Sequence, residues 1–267
     1  MPTSPATFDD QIARWKQEMD LPWAKLKYKL VRANLAKHLG QNQRHILDAG
    51  SGNGLESIPF AKEGHIVDLV DYSREMLADA QQEAAKANVR ERITVHLSNI
   101  NNIHELFPNT QFDLILCHNV LQYIDDIPAT FKNLSKLLKP EGVISIVSIN
   151  RFSTPYHAAF LDGDFAKALA ELETRTSNTK IFDAVMTSYS ADEISKMLEE
   201  VGVILEKDYG IRCICDYWGD NERKLDPMIF EQIERLEFAL TELFPYKLLA
   251  RYFQVVARKV IAPIHGH

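Results

Sequence analysis

The stretch Arg44-His45-Ile46-Leu47-Asp48-Ala49-Gly50-Ser51-Gly52-Asn53-Gly54 decides the fold. Its first half is a short apolar run of strand character, and its second half is a turn with glycine at every other position. Glycine tolerates positive φ and lets backbone approach a ligand closely, so the turn reads as the end of a buried strand meeting a helix. That helix is expected from about Leu55 to Lys62. The next apolar run, Ile66-Val67-Asp68-Leu69-Val70, is a second strand ending at Asp71. Ser73 is placed to cap a long helix reaching about Asn88. Ile93-Thr94-Val95-His96-Leu97 and Phe112-Asp113-Leu114-Ile115-Leu116-Cys117 are the third and fourth strands. Pro128 opens a helix ending near Leu138. Pro140-Glu141-Gly142 turns the chain into a fifth strand, Val143-Ile144-Ser145-Ile146-Val147-Ser148. Strands alternating with helices imply a parallel sheet covered on both faces, and near-continuous apolar strands suit that burial.

The flanks extend this core. Residues 1–7 are expected to be a loose tail. Phe8 to about Leu39 is helical in pattern, interrupted at Pro22, with Gly40 in the place of a C-cap. Residues 151–188 leave the alternation and read as an inserted cap or lid with two short helical patterns. Ser190-Ala191-Asp192-Glu193 starts an amphipathic helix that stops near Gly202. Strand patterns at 203–216 and 250–258 flank a helical stretch at about 227–243. The expected architecture is α/β: a doubly wound, mostly parallel, seven-stranded Rossmann-like sheet with N-terminal helices and a helical insertion after strand five. Its parts are a helical cap (1–40), a cofactor-binding core (41–150), the inserted cap (151–188) and the C-terminal part of the core (189–267).

A chain of 267 residues suits one well-buried unit, and 46% hydrophobic with 25% charged residues is ordinary for a globular protein. The formal charge of −7 disfavours a general phosphate-binding surface. Cys117, Cys213 and Cys215 form no disulfide framework, which points to a reducing compartment. Cys213 and Cys215, two apart in an apolar run, are expected on one strand face. No metal site is expected, since neither this pair nor His265 and His267 supplies enough ligands. No apolar stretch reaches signal-peptide or membrane-span length, so a cytoplasmic protein without a membrane partner is expected.

The ligand class follows from the company the turn keeps. Asp71 ends the next strand, 17 positions beyond Gly54, where a carboxylate accepts both ribose hydroxyls of a nucleotide. Dinucleotide sites favour G-x-G-x-x-G, which brings a helix N-terminus to a pyrophosphate. Here the spacing is G-x-G-x-G, and Asp48 beside the turn would repel pyrophosphate. It would suit the cationic methionine end of S-adenosylmethionine.

The stations Ile46–Gly54, Asp71-Tyr72-Ser73, Phe112-Asp113-Leu114-Ile115 and Leu137-Leu138-Lys139-Pro140-Glu141-Gly142 together resemble the class I S-adenosylmethionine-dependent methyltransferases. The resemblance implies that Asp48, Gly50, Ser51 and Gly52 hold the methionine moiety. Asp71 with Tyr72 would hold the ribose, Ile100 with Asn101 the adenine, and His118 would lie beside the methionine end. Asn99, Asn101 and Asn102 stand where the family often has an Asp. A narrower resemblance spans most of the chain. Gly210-Ile211-Arg212-Cys213, Asp216-Tyr217, Leu236-Glu237, Pro245-Tyr246 and Ala250–Lys259 look like the C-terminal half of the bacterial tRNA 5-carboxymethoxyuridine methyltransferases. Cys117–Tyr123 looks like their segment after strand four. Lys27 falls where that family has a basic residue facing the cofactor carboxylate. Those enzymes convert a carboxylate on a wobble uridine to an ester. Their inserted region is lysine-rich, whereas Thr174–Lys180 holds two cations.

A carboxylate acceptor is already ionised near neutral pH and needs a cation to orient it rather than a general base. Arg212 and Arg251 are the candidates, because guanidinium presents a fork matched to carboxylate or phosphate; each could equally be a structural ion pair. Tyr217, Tyr246 and Tyr252 are candidates to stack on a base or close the pocket, or else core filler. His118 is a candidate base for a hydroxyl acceptor, or a histidine bonded to its surroundings. The Lys25-Leu26-Lys27-Tyr28-Lys29…Arg32 run is either an RNA-facing surface or a solvated helix face. Three functions stay open: methylation of modified tRNA, methylation of a small-molecule metabolite, and a non-catalytic nucleotide-binding module. Oligomeric state is not legible.

Overall fold

The computed structural model describes residues 12–174, 176–178 and 185–261. The expected tail at 1–7, the start of the helical pattern at Phe8, Arg175 and Lys180 of the inserted segment, and His265-Gly266-His267 lie outside the described residues.

Two helices lead in: α1 (Ile12–Met19) and α2 (Pro22–Ala36). Pro22 occupies the first turn of α2, where its missing N–H costs nothing. The alternating core is β1 (His45–Ala49), α3 (Ile58–Lys62), β2 (Ile66–Asp71), α4 (Arg74–Lys86), β3 (Ile93–Leu97), α5 (Ile103–Leu106), β4 (Phe112–His118), α6 (Ile127–Leu137) and β5 (Leu138–Ile149). The insertion contributes α7 (Ser153–Phe160), α8 (Phe165–Glu173) and an antiparallel pair, β6 (Thr176–Asn178) with β7 (Val185–Thr187). The chain then returns to the core through α9 (Ala191–Glu199), β8 (Val203–Ile211), α10 (Pro227–Leu240) and β9 (Tyr252–Lys259).

The main sheet has seven strands in the order β3-β2-β1-β4-β5-β9-β8. Strands β1 to β5 are parallel, and β9 inserts antiparallel between β5 and β8. Strand alternation explains the two cores. Ile46, Leu114 and Leu116 face one side with Leu26, Leu30 and Leu77, while Leu47, Ile115 and Cys117 face the other with Phe131, Leu134 and Ile194. The strand order reverses between β1 and β4, so their carboxyl ends open the crevice where α/β sheets bind ligands.

Four local expectations change. The helix after the glycine turn begins only at Ile58, because Gly54 N–H bonds to Ser51 O and Ser57 N–H to Gly54 O in successive turns. The second N-terminal helix stops at Ala36, where Lys37 and His38 N–H groups turn back onto Asn34 and Leu35, so Gly40 caps nothing. Strand β5 begins at Leu138, which pairs with Phe112 across a register shift. The strand expected through 216 ends at Ile211. Arg212 takes a φ of 60°, and the next three N–H groups leave the ladder. Cys213, Ile214 and Cys215 donate instead to the buried Glu237 carboxylate at 2.6, 2.9 and 2.7 Å. Cys213 and Cys215 therefore share no strand face. Both are buried free thiols in separate apolar clusters.

Glu237 satisfies three otherwise buried donors, and burial pushes its carboxyl above the usual range against the pull of those bonds. Glu237→Ala should lower unfolding stability by about 3 kcal/mol or more, read as a shifted urea midpoint, because several buried N–H groups lose their acceptor at once.

Candidate cofactor and acceptor site

A cavity of about 520 Å³ lies at the carboxyl ends of β1, β2 and β4. Its floor is the glycine turn. Gly50, Gly52 and Gly54 have φ of 84°, 53° and 75°. At Gly50 a Cβ would meet Val120 Cγ2 at 2.3 Å, so only glycine fits. At Gly52 nothing lies within 4 Å of that position: the backbone is bare toward the cavity, as a cradle for a close-fitting ligand requires.

Asp71 ties the turn to the next strand. One carboxylate oxygen accepts Gly52 N–H at 2.8 Å and the other accepts Ser73 N–H at 2.9 Å. A carboxylate has about four acceptor sites, leaving capacity for hydroxyl donors from the cavity. Ser73 in turn caps α4 by accepting Met76 N–H. Asp48, at the end of β1, accepts the Ser57 hydroxyl, and burial raises its carboxyl to about 7.

The cavity wall opposite comes from α2 and β9. Lys27 is buried, with Nζ 4.4 Å from the Tyr28 ring centre and 5.5 Å from that of Tyr252. Burial lowers the Lys27 pKa, but Tyr28, Tyr252 and Glu56 more than offset this and hold the ammonium charged. Tyr252 is ringed by cations: Arg212 and Arg251 guanidinium carbons lie 5.0 and 5.8 Å from its ring centre. Burial pushes its hydroxyl pKa up, yet Arg212, Arg251 and Lys27 together bring it below the usual tyrosine value.

All ten residues expected to face the cofactor line this one cavity: Lys27, Asp48, Gly50, Ser51, Gly52, Asp71, Tyr72, Ile100, Asn101 and His118. Asn101 N–H bonds to the Asn99 side chain, so the asparagines shape the loop after β3. His118 Nε2 lies 2.9 Å from the Ser145 hydroxyl, and Nδ1 lies 3.3 Å from Glu56 without hydrogen-bond geometry. The acceptor candidates separate. Arg251 lines the cavity; Arg212, Tyr217 and Tyr246 do not. Arg212 is buried in an ion pair with Asp216 at 2.7 Å and donates to Trp23 O. Tyr217 donates its hydroxyl to Leu249 O, and Tyr246 is half exposed. Sequence reasoning missed Glu56, Thr154, His157, Lys167 and Glu171, which also line the cavity. Glu56, two residues past Gly54, was findable from its closeness to the turn. The others lie in the insertion, where no spacing announces them.

The family described as methyltransferase domain matches residues 41–236. The chain belongs to the S-adenosylmethionine-dependent methyltransferase family. It is 30% identical over 224 residues to the tRNA 5-carboxymethoxyuridine methyltransferase of Escherichia coli K12, covering 83% of this chain and 82% of that one. It is 24% identical over 178 residues to a ubiquinone biosynthesis O-methyltransferase of Rhodopseudomonas palustris, covering 65% and 64%. An S-adenosylmethionine-dependent methyltransferase structure from Mesorhizobium loti superposes with a TM-score of 0.58 at 19% identity, covering 85% and 96%. The seven-stranded methyltransferase fold is thus shared where sequence identity is low.

The cavity fits that cofactor in chemistry as well as place. It pairs a bare glycine floor with the Asp71 carboxylate, which could accept ribose hydroxyls, and the buried Lys27 ammonium with the Asp48 carboxylate, which together would suit the amino-acid end. S-adenosylmethionine supplies an electrophilic methyl on a sulfonium, so the protein's task is positioning and charge placement.

Two measurements check these contacts. Asp71→Asn should weaken S-adenosylmethionine binding about tenfold or more by calorimetry, and Gly52→Val should abolish it by filling the cradle. Asp48 gives a pH signature. A carboxyl raised to about 7 in the folded protein favours folding at pH below its unfolded value near 3.8, and that contribution is lost as pH rises through 7. The cationic end of the cofactor favours the ionised form, so binding should expel a proton and tighten as pH rises from 6 to 8. Asp48→Asn should flatten that dependence.

Proposed function

We propose that this methyltransferase transfers its methyl group to a carboxylate on a modified wobble uridine of tRNA. Arg251 carries the reading. Its guanidinium lines the cavity, and among the described residues no carboxylate lies within ion-pair distance of it. Its hydrogen bond to the Ser153 hydroxyl is long, at 3.4 Å. Arg212, by contrast, spends its charge on Asp216. A buried-side cation without a counter-charge favours an anionic partner, and a carboxylate held by the guanidinium fork needs no base. The relative in E. coli, named for a carboxymethoxyuridine of tRNA, supports the same acceptor class.

The cavity divides its labour accordingly. The glycine turn, Asp71 and Lys27 hold the cofactor, while Arg251, just before β9, and the insertion helices face the acceptor. His118, buried and bonded to Ser145, is a positioning group beside the methionine end rather than a base.

A second reading has its own observation. The basic run on α2 is largely neutralised: Lys25 pairs with Asp20, Lys29 with Glu234 and Arg32 with Glu63. That leaves little free positive surface for RNA and favours a small-molecule metabolite as acceptor, a reading that the relatives named for ubiquinone biosynthesis also support.

Labelled methyl should enter bulk tRNA isolated from cells lacking the gene, and not a metabolite extract; the opposite pattern sinks the tRNA reading. Arg251→Met should lower kcat/KM for the acceptor by about 10- to 100-fold, the cost of losing a charge-assisted hydrogen bond. Its affinity for S-adenosylmethionine should stay near wild type.

A further inference from the structure

The insertion places three polar groups on the acceptor side of the cavity that the methyl transfer itself does not use: His157 on α7, and Lys167 and Glu171 on α8. Lys167 Nζ donates to Asp162 at 3.1 Å and lies 3.9 Å from Glu171 Oε1. The Glu171 side chain is 13% exposed, and its Oε2 is buried with no hydrogen-bond partner among the described residues. A buried carboxylate oxygen left unmade is costly unless a ligand supplies the donor. The His157 ring lies close enough to Arg251, Asp162 and Lys167 to feel their charges, which links this group to the Arg251 corner. Burial and Arg251 lower its pKa to about 4, so at neutral pH it offers one N–H donor and no charge.

We propose that Glu171, with Lys167 and His157 lining the same cavity, recognises the imide edge of a uracil base through its N3–H. This inference rests on the tRNA reading above. The edge of uracil presents acceptor, donor, acceptor; the cavity wall that Lys167, Glu171 and His157 line offers the matching set of two donors and one acceptor. Enzymes acting on a base read it by that edge once it leaves the stack. The carboxylate also supplies rejection: cytosine carries an acceptor at N3 and would set a lone pair against Glu171. A site built to bond a substrate N–H discriminates strongly against the analogue lacking it.

The test uses the full chain and two RNA anticodon stem–loops, one with 5-carboxymethoxyuridine at the wobble position and one with the same base methylated at N3. Single-turnover methyl transfer and S-adenosylhomocysteine affinity are measured for wild type, Glu171→Ala and Glu171→Gln. Wild type should react at least about tenfold more slowly with the N3-methylated loop. Glu171→Ala should lose about tenfold on the unmodified-N3 loop and no longer distinguish the two. Glu171→Gln, which keeps a carbonyl acceptor, should recover part of both effects, with cofactor-product affinity unchanged throughout. Equal wild-type rates on the two loops, or discrimination that survives in Glu171→Ala, overturn this inference alone. No transfer by wild type to either loop overturns the tRNA reading and this inference with it.

Discussion

The bond from Gly52 N–H to the Asp71 carboxylate holds the site together. It ties the glycine turn after β1 to the end of β2, so the floor of the cavity and the Asp71 carboxylate beside it cannot move independently. The other Asp71 oxygen takes Ser73 N–H, and Ser73 caps α4. One carboxylate thus sets the turn, the strand end and the start of a helix, and still faces the cavity. The strand order reverses beside this point, which is why the crevice opens there.

A second buried carboxylate does comparable work far along the chain. Glu237 collects the N–H groups of Cys213, Ile214 and Cys215, and this turn carries Arg212. Arg251 N–H bonds to Arg212 O, and Tyr217 reaches Leu249 O. The C-terminal residues that resemble the tRNA-modifying family therefore form one brace. Most of them are structural. Their product is the placement of Tyr252 and Arg251 at the cavity, among the charges of Lys27 and Arg212.

The two arginines show why residue type alone does not assign a role. Each sits beside a late strand and lies within 6 Å of the Tyr252 ring centre. Asp216, four residues past Arg212 in a turn, neutralises one of them. Among the described residues Arg251 has no such neighbour. The difference is one carboxylate in three dimensions, and the strand pattern of residues 203–216 gave no hint that the chain would turn there.

The sequence by itself determined the alternating sheet, the glycine turn and the carboxylate that ends the next strand. Those features are local: a strand, its turn and the next strand end lie within a few tens of residues, and each is held by its own backbone geometry. Only the tertiary structure decided the opposite wall of the cavity. His157, Lys167, Glu171 and Arg251 come from an insertion and the turn that leads into a late antiparallel strand, and they meet only because β9 pairs with β5 and the insertion folds back over the crevice. Their meeting depends on contacts across a hundred residues, which no local periodicity or spacing encodes.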